Sequence, residues 1–277
     1  MGLTAEQRGN LDGLCKQFRK TLIETLYKVQ TGHPGGSLSA TEIITALYFE
    51  VMRVDPKNPS WEDRDRFVLA KGHAAPMLYI ALAEKGFFPK EELSTLRQIG
   101  SRLQGHPYAN KTPGVELSTG PLGLGLSAAL GMGIGARLKK KDFYTYVLMG
   151  DGEIQEGIVW EAAMAGAKYG LDNVIAILDK NGVQLDGPVD VIMPLGNVRA
   201  KWESFGWNTQ VIDGHNIEEI VVSIEQAKTM KGKPTIIIAQ TVKGKGVSFM
   251  EGKHTWHGKP ISKAEYEAAL AELEGGK

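Results

Sequence analysis

A single cysteine, Cys15, stands in a chain of 277 residues, so no disulfide can form within it and a reducing, cytoplasmic setting is expected. Neither sign of charge is in excess. Lys plus Arg and Asp plus Glu both number 32, which removes any bulk pull toward nucleic acid or membranes. No apolar run approaches membrane-spanning length, and the polar stretch Met1 to Gln17 lacks the apolar centre of a signal peptide. Internal repeats, low-complexity tracts and interior linkers are also absent. What remains, 42% hydrophobic and 23% charged, has the composition of an ordinary globular protein, and a single domain over residues 1–277 is the simplest organisation.

Glycine is the abundant residue, with 34 copies gathered around 120–135, 150–157 and 242–258 rather than in tails. Glycine at element junctions implies tight turns and close backbone approach to something. The apolar periodicity predicts a first helix from Thr4 to about Val29, opened by a Thr4–Gln7 capping box. A glycine-rich loop at 32–36 follows, then a helix from about Ser39 to Val51. A strand over 66–70 leads through Lys71-Gly72-His73 into a helix ending at Glu84, and a further helix covers roughly 90–99. Residues 100–121 form a long Gly- and Pro-bearing loop, of a length that tends to be functional. Strands at 143–149, 173–178, 207–212 and 234–240 then alternate with helices at 122–139, 153–168 and 216–229. A loop spans 242–260, and Ser262 caps a final helix. Such alternation predicts an α/β fold, a parallel sheet with helices on both faces, whose ligands gather at the carboxyl ends of the strands.

Gly150-Asp151-Gly152 falls at one of those ends, and Asn181, followed by Val183, falls at the next. A carboxylate, a carboxamide and a main-chain carbonyl offer oxygen to a hard divalent ion that keeps positions for phosphate. Glu156 and Glu161 lie on the following predicted helix, Glu156 among apolar neighbours that imply burial. Gly123-Leu124-Gly125-Leu126-Ser127-Ala128 matches a dinucleotide fingerprint formally. A proline-bearing loop precedes it where that motif needs a strand, so these glycines read as close helix packing. Four of the six histidines, His33, His73, His106 and His257, sit in Gly- or Pro-flanked loops at predicted rim positions. Their spacing excludes the helix-borne zinc pattern and suits neutral imidazoles that donate to phosphates and move protons. His215 and His254 read as surface residues, and Lys139-Lys140-Lys141 as a helix C-terminus.

Six ordered blocks carry a resemblance: Gly32-His33-Pro34-Gly35, Lys71-Gly72-His73, Gly105-His106-Pro107, Ser118 to Gly123, Gly150 to Gly157, and His257-Gly258. Along essentially its full length the chain resembles the N-terminal, diphosphate-binding portion of transketolase, in the form split between two chains. The resemblance implies the thiamine diphosphate-binding fold, with the cofactor bound through Mg²⁺ or Ca²⁺ held by Asp151, Asn181 and the Val183 carbonyl. It implies cofactor contacts from His73, Gly120, Pro121, Leu122, Gly152, Glu156 and His257. By the same resemblance His33 and His257 help deprotonate a donor ketose, His106 faces its first hydroxyl, and Glu161 joins an acidic network linking paired sites. The reaction implied is transfer of a two-carbon ketol unit from a ketose phosphate to an aldose phosphate, with the cofactor as electron sink.

Relative to the complete enzyme, the chain stops before the regions that hold the aminopyrimidine ring and grip the sugar phosphate. The pyrimidine-binding and C-terminal domains are therefore expected on a partner, the C-terminal transketolase subunit, with two copies of each chain. Two other readings compete. The alpha subunit of a 2-oxo acid dehydrogenase also carries Gly-Asp-Gly and a later Asn, but lacks the ordered His33, His73 and His106. A non-catalytic cofactor-binding assembly subunit should have lost ligands or histidines that are all present here.

Overall fold

The computed structural model describes residues 2–275. Five strands, β1 (Arg66–Leu69), β2 (Thr145–Gly150), β3 (Val174–Lys180), β4 (Asn208–Asp213) and β5 (Thr235–Gln240), form one sheet in the order β1-β2-β3-β5-β4. Every pairing is parallel, in the register Leu69 with Leu148, Leu148 with Ile177 and Ile177 with Ile237. Side chains alternate across the sheet because a strand repeats every two residues. Tyr146, Leu148, Ile175, Ile177 and Ile237 enter one core, and Val147, Met149, Ala176, Leu178 and Ile238 enter the other. With both faces buried, β2, β3 and β5 read as continuous apolar runs, as parallel strands do, whereas the edge strand β4 is only partly buried.

The first core is covered by α1 (Ala5–Val29), α2 (Pro34–Ser39), α3 (Thr41–Ala46), α4 (Ala75–Lys85), and, beyond the intervening segments, by the later helices α9 (Ile217–Thr229) and α10 (Lys263–Gly275). The second is covered by α5 (Leu124–Leu138), α6 (Gly157–Lys168) and α8 (Val198–Ser204), with the short α7 (Val189–Ile192) between the last two. The α/β fold with helices on both faces is as the sequence predicts. Thr4 caps α1, its side chain accepting from the Gln7 amide while Gln7 returns to the Thr4 N–H. Gly125 packs α5 against β1: a Cβ there would lie 2.9 Å from the Ala70 Cα, which bears out the packing role of these glycines.

Predicted boundaries move, as where the helix expected over 39–51 is α3 followed by a π turn over Leu47–Val51, and three further shifts have a clear cause. The 32–36 segment is not wholly loop, because Pro34 begins α2 with its ring already at helical φ and no N–H to satisfy. The helix expected over 90–99 is a 3₁₀ segment over Lys90–Thr95. It buries Leu93 and Leu96, three apart, while Ile99 is fully exposed, so the segment has no continuing apolar stripe. The helix expected from 153 begins at Gly157. A 3₁₀ turn over Glu153–Gln155 precedes it, and Glu156 adopts an extended backbone at the cap of α6.

Candidate functional site

The carboxyl ends of β1, β2, β3 and β5 converge on one rim, as the parallel register requires. From β1 the chain passes to Lys71 and His73, from β2 to Asp151, from β3 to Asn181, and from β5 to Lys243. His33 enters from the turn before α2, His106 from the long loop, and His257 from the segment before α10. The four imidazoles meet: His33 lies with its ring centroid 5.6 Å from His73, 6.0 Å from His106 and 5.4 Å from His257, and His73 is 4.8 Å from His257. Among the described residues no three His, Cys, Asp or Glu side chains are arranged to hold a metal.

Asp151 is buried at the tip of β2. Its carboxylate accepts from the Gly152 N–H at 2.9 Å and from the Gly182 N–H at 2.5 Å, which places it beside Asn181. Asn181 Oδ1 accepts from the Val183 N–H at 3.1 Å, and the Val183 carbonyl accepts from the Lys243 ammonium at 3.2 Å. The three expected ligands thus share one loop junction. Their donor set is all oxygen, suited to Mg²⁺ or Ca²⁺. Burial, with the nearby Asp179 charge, pushes the Asp151 carboxyl up to about 6. A buried carboxylate so placed gains from a cation. The diphosphate cradle fits as well: a Cβ on Gly36 would lie 3.0 Å from His73 Nε2, and one on Gly152 would meet the Gln184 Cβ at the same distance. His33 Nδ1 is buried with no hydrogen-bond partner among the described residues.

Two lysines that sequence reasoning passed over face this rim. Lys71 is fully buried, donating to the Gly36 carbonyl at 2.8 Å and paired with Asp179, which also accepts from Ser39 Oγ at 2.6 Å and from Thr241. Although burial opposes it, the Lys71 charge holds the Asp179 carboxyl below its usual value. Lys243 is 2% exposed and donates to His257 Nδ1 at 2.9 Å, which leaves the ring proton of neutral His257 on Nε2. Burial and the charge of Lys71 bring Lys243 down to about 8. Both lysines follow strand ends, Lys71 within Lys71-Gly72-His73, and a buried cation beside an expected diphosphate was the available signal.

Desolvation is also the main cause of the histidine shifts. His33 falls to about 4, with Arg97, His106 and Lys243 adding to the effect, and His257 falls to about 3 through burial, Lys243 and His33. His73 lies well below its ordinary value through burial and Lys71, and His106 is lowered by burial and Arg97. All four shifts favour the neutral imidazole. Arg97, exposed and with φ of 62°, donates to Thr31 Oγ1 at 2.6 Å beside these rings.

Glu153, also passed over, is 3% exposed and accepts from Gly123 N–H at 2.9 Å and Gly150 N–H at 3.1 Å. It ties the turn before α5 to the tip of β2, and burial raises its carboxyl to about 7. Glu153 thus fills the buried position expected of Glu156. Glu156 is exposed, a correction that follows from its place at the cap of α6. Gly120 lies against His106, whereas Pro121 and Leu122 are exposed at its edge. Glu161 is exposed on α6, on a face it shares with Met164. His254 is exposed as expected. His215 is not a surface residue: its side chain is 13% exposed, with Nδ1 3.0 Å from Glu42 Oε2.

Comparison with known proteins places this geometry. Residues 12–274 match the family model described as transketolase, thiamine diphosphate binding domain. The chain is 46% identical over 270 residues to the 6-deoxy-6-sulfo-D-fructose transketolase subunit SqwG of Clostridium sp. (strain MSTE9), covering 98% of each chain. It is 46% identical over 255 residues to an apulose-4-phosphate transketolase subunit of Phocaeicola vulgatus, covering 92% of this chain and 90% of that one. The transketolase of Campylobacter jejuni superposes with a TM-score of 0.90 at 35% identity, over 95% of this chain but 42% of that one.

Proposed function

The chain belongs to the transketolase family, and from that premise we propose that it is the N-terminal subunit of a two-chain transketolase moving a two-carbon ketol unit between sugar phosphates. The observation that carries this reading is the convergence of four neutral imidazoles on the rim where Asp151, Asn181 and Lys243 meet. Bound there, thiamine diphosphate supplies the electron sink for breaking and making a carbon–carbon bond beside a ketone. Asp151, the Asn181 side chain and the Val183 carbonyl would hold Mg²⁺ or Ca²⁺, and His73, Gly120, Pro121, Leu122, Gly152 and His257 would line the cofactor.

The chain's own residues do three things. Lys71 and Lys243 place fixed positive charge at the diphosphate end, where burial strengthens it. His257, with Nδ1 filled by Lys243, presents Nε2–H as a donor to a ketose oxygen. His33, whose buried Nδ1 is unpartnered, is the open group for taking up a hydroxyl proton, with His106 at the entrance beside Gly120. Burial is the main cause that lowers these imidazoles, and an anionic cofactor would offset the part that Lys243 adds at His33 and His257.

A partner chain completes the site. The relatives named as transketolase subunits support this. Glu156 and Glu161, with exposed Leu122, Leu124 and Met164, form the face we assign to assembly, with two copies of each chain. The whole of residues 1–277 is then one diphosphate-binding domain, and the other two domains belong to the partner. Among the described residues no helix is long and apolar enough to cross a membrane, and we place the chain in the cytoplasm and its reaction in pentose phosphate metabolism. Copurification followed by assays with xylulose 5-phosphate, 6-deoxy-6-sulfo-D-fructose, apulose 4-phosphate and pyruvate tests the reading. Turnover by the single chain would overturn the partner requirement, and preference for pyruvate would overturn the ketol assignment.

A further inference from the structure

Behind the rim, between α1, α3 and the loop leaving β4, three polar side chains form a chain that the reaction itself does not use. Arg19 and Glu42 are more than nine-tenths buried, and His215 is nearly so. Arg19 Nη2 donates to Glu42 Oε1 at 2.5 Å, and the other Glu42 oxygen meets His215 Nδ1 at 3.0 Å. Burial works against the Glu42 charge, yet His215 and Arg19 hold its carboxyl below the usual range. Burying such groups is costly unless each is paired, so a complete network here implies a task.

Both ends of the network grip one short segment. His215 Nε2 accepts from the Val242 N–H at 2.8 Å, and Arg19 Nε donates to the Lys245 carbonyl at 3.1 Å. A backbone N–H can only donate, so Nε2 is the acceptor and the ring proton sits on Nδ1, facing Glu42. Lys243 lies between the two gripped residues. On its other side the Gly244 N–H donates to the Gly35 carbonyl at 3.0 Å. Gly246 has φ of 94°, and a Cβ there would lie 2.9 Å from the Arg19 Cδ, so the loop runs tightly over the arginine.

We propose that Arg19, Glu42 and His215 are positioning residues, a buried clamp on the backbone either side of Lys243 that aims its amine at Val183 and His257. The proposal rests on the cofactor reading above, because the benefit of a fixed Lys243 is a fixed charge for an anion. A lysine side chain loses much rotamer freedom on being held, and anchoring its backbone reduces what the ligand must order. Arg19 and Glu42 serve the site without touching it.

Hydrogen exchange on the full chain reads the clamp without any ligand. His215→Ala should speed exchange at 242–246 by about tenfold, the worth of one buried hydrogen bond, and leave β2 unchanged. His215→Gln, which can accept from Val242 and donate to Glu42, should restore protection. Thiamine diphosphate affinity with Mg²⁺, measured on the chain with its copurified partner, should fall about tenfold in His215→Ala. In a Lys243→Met background the same substitution should cost little more, since the lysine it aims is gone. Uniformly faster exchange, no change at 242–246, or full additivity with Lys243→Met would each overturn the clamp. If the unsubstituted chain and partner bind no thiamine diphosphate, the cofactor reading fails, and the exchange result alone decides whether the clamp exists.

Discussion

Asp179→Asn tests the energetic centre of the site. Asp179 is wholly buried at the end of β3 and accepts from Ser39, Thr241 and Lys71, whose ammonium is itself 1% exposed. Asparagine keeps the shape but removes the carboxylate that hydrogen-bonds the Lys71 ammonium, leaving the Gly36 carbonyl and the Ser39 hydroxyl. Lys243 then adds uncompensated like charge to the rim. Breaking a buried pair from one side costs about 3–5 kcal/mol, because the remaining charge stays desolvated. With a urea slope of about 3 kcal/mol/M, the midpoint should fall by about 1–1.7 M. The assay is urea unfolding of the cofactor-free chain at neutral pH, followed by far-UV circular dichroism. Replacing both partners, Lys71→Met with Asp179→Leu, should recover most of that loss, since the penalty lies in the stranded charge. A midpoint within about 0.3 M of the parent for Asp179→Asn, on the same slope of about 3 kcal/mol/M, would refute the reasoning.

Further outcomes follow from other contacts. Gly125→Ala should lower stability by about 1–2 kcal/mol, because the clash with the Ala70 backbone outweighs the roughly 1 kcal/mol of helix propensity gained, and a raised Tm would contradict it. In the cofactor-free chain the depressed histidines contribute stability that is full above about 6.5 and lost as pH falls through about 4 for His33 and about 3 for His257. Asp151 and Glu153, raised to about 6 and about 7, act in the opposite sense, their stabilisation present at acid pH and lost as pH rises through those values. With four histidines against two acids, urea midpoints should fall from pH 6.5 to 4.5, and a rise over that window would be inconsistent with the burial described. Chelation by EDTA should weaken thiamine diphosphate binding at least tenfold, with recovery on adding Mg²⁺ or Ca²⁺. Calorimetry showing unchanged affinity in EDTA would remove Asp151, Asn181 and Val183 from the ligand set.

Much of this was legible locally. The runs ending at Met149 and Leu178 announced buried parallel strands, and the Thr4–Gln7 pair announced the start of α1. The histidines stood out because four of them shared Gly- or Pro-flanked loops at strand ends, and Gly-Asp-Gly, a common turn by itself, gained meaning only from Asn181 behind the next strand. Glu156 and Glu153 show where local reading stops. Both carry the same carboxylate three residues apart, and which one turns inward depends on the unpaired N–H groups of Gly123 and Gly150, one of which comes from a segment thirty residues away.

Periodicity and turn chemistry along the chain thus determined the alternating elements, the two-sided sheet and the rim at the strand ends, since these depend on neighbours two to four positions apart. Only the folded molecule decided the Lys71–Asp179 pair, the approach of Lys243 to His257 and the withdrawal of His215 from solvent. Each joins residues distant in sequence, and its sign and cost are set by desolvation, which exists only once the surrounding elements have closed over it.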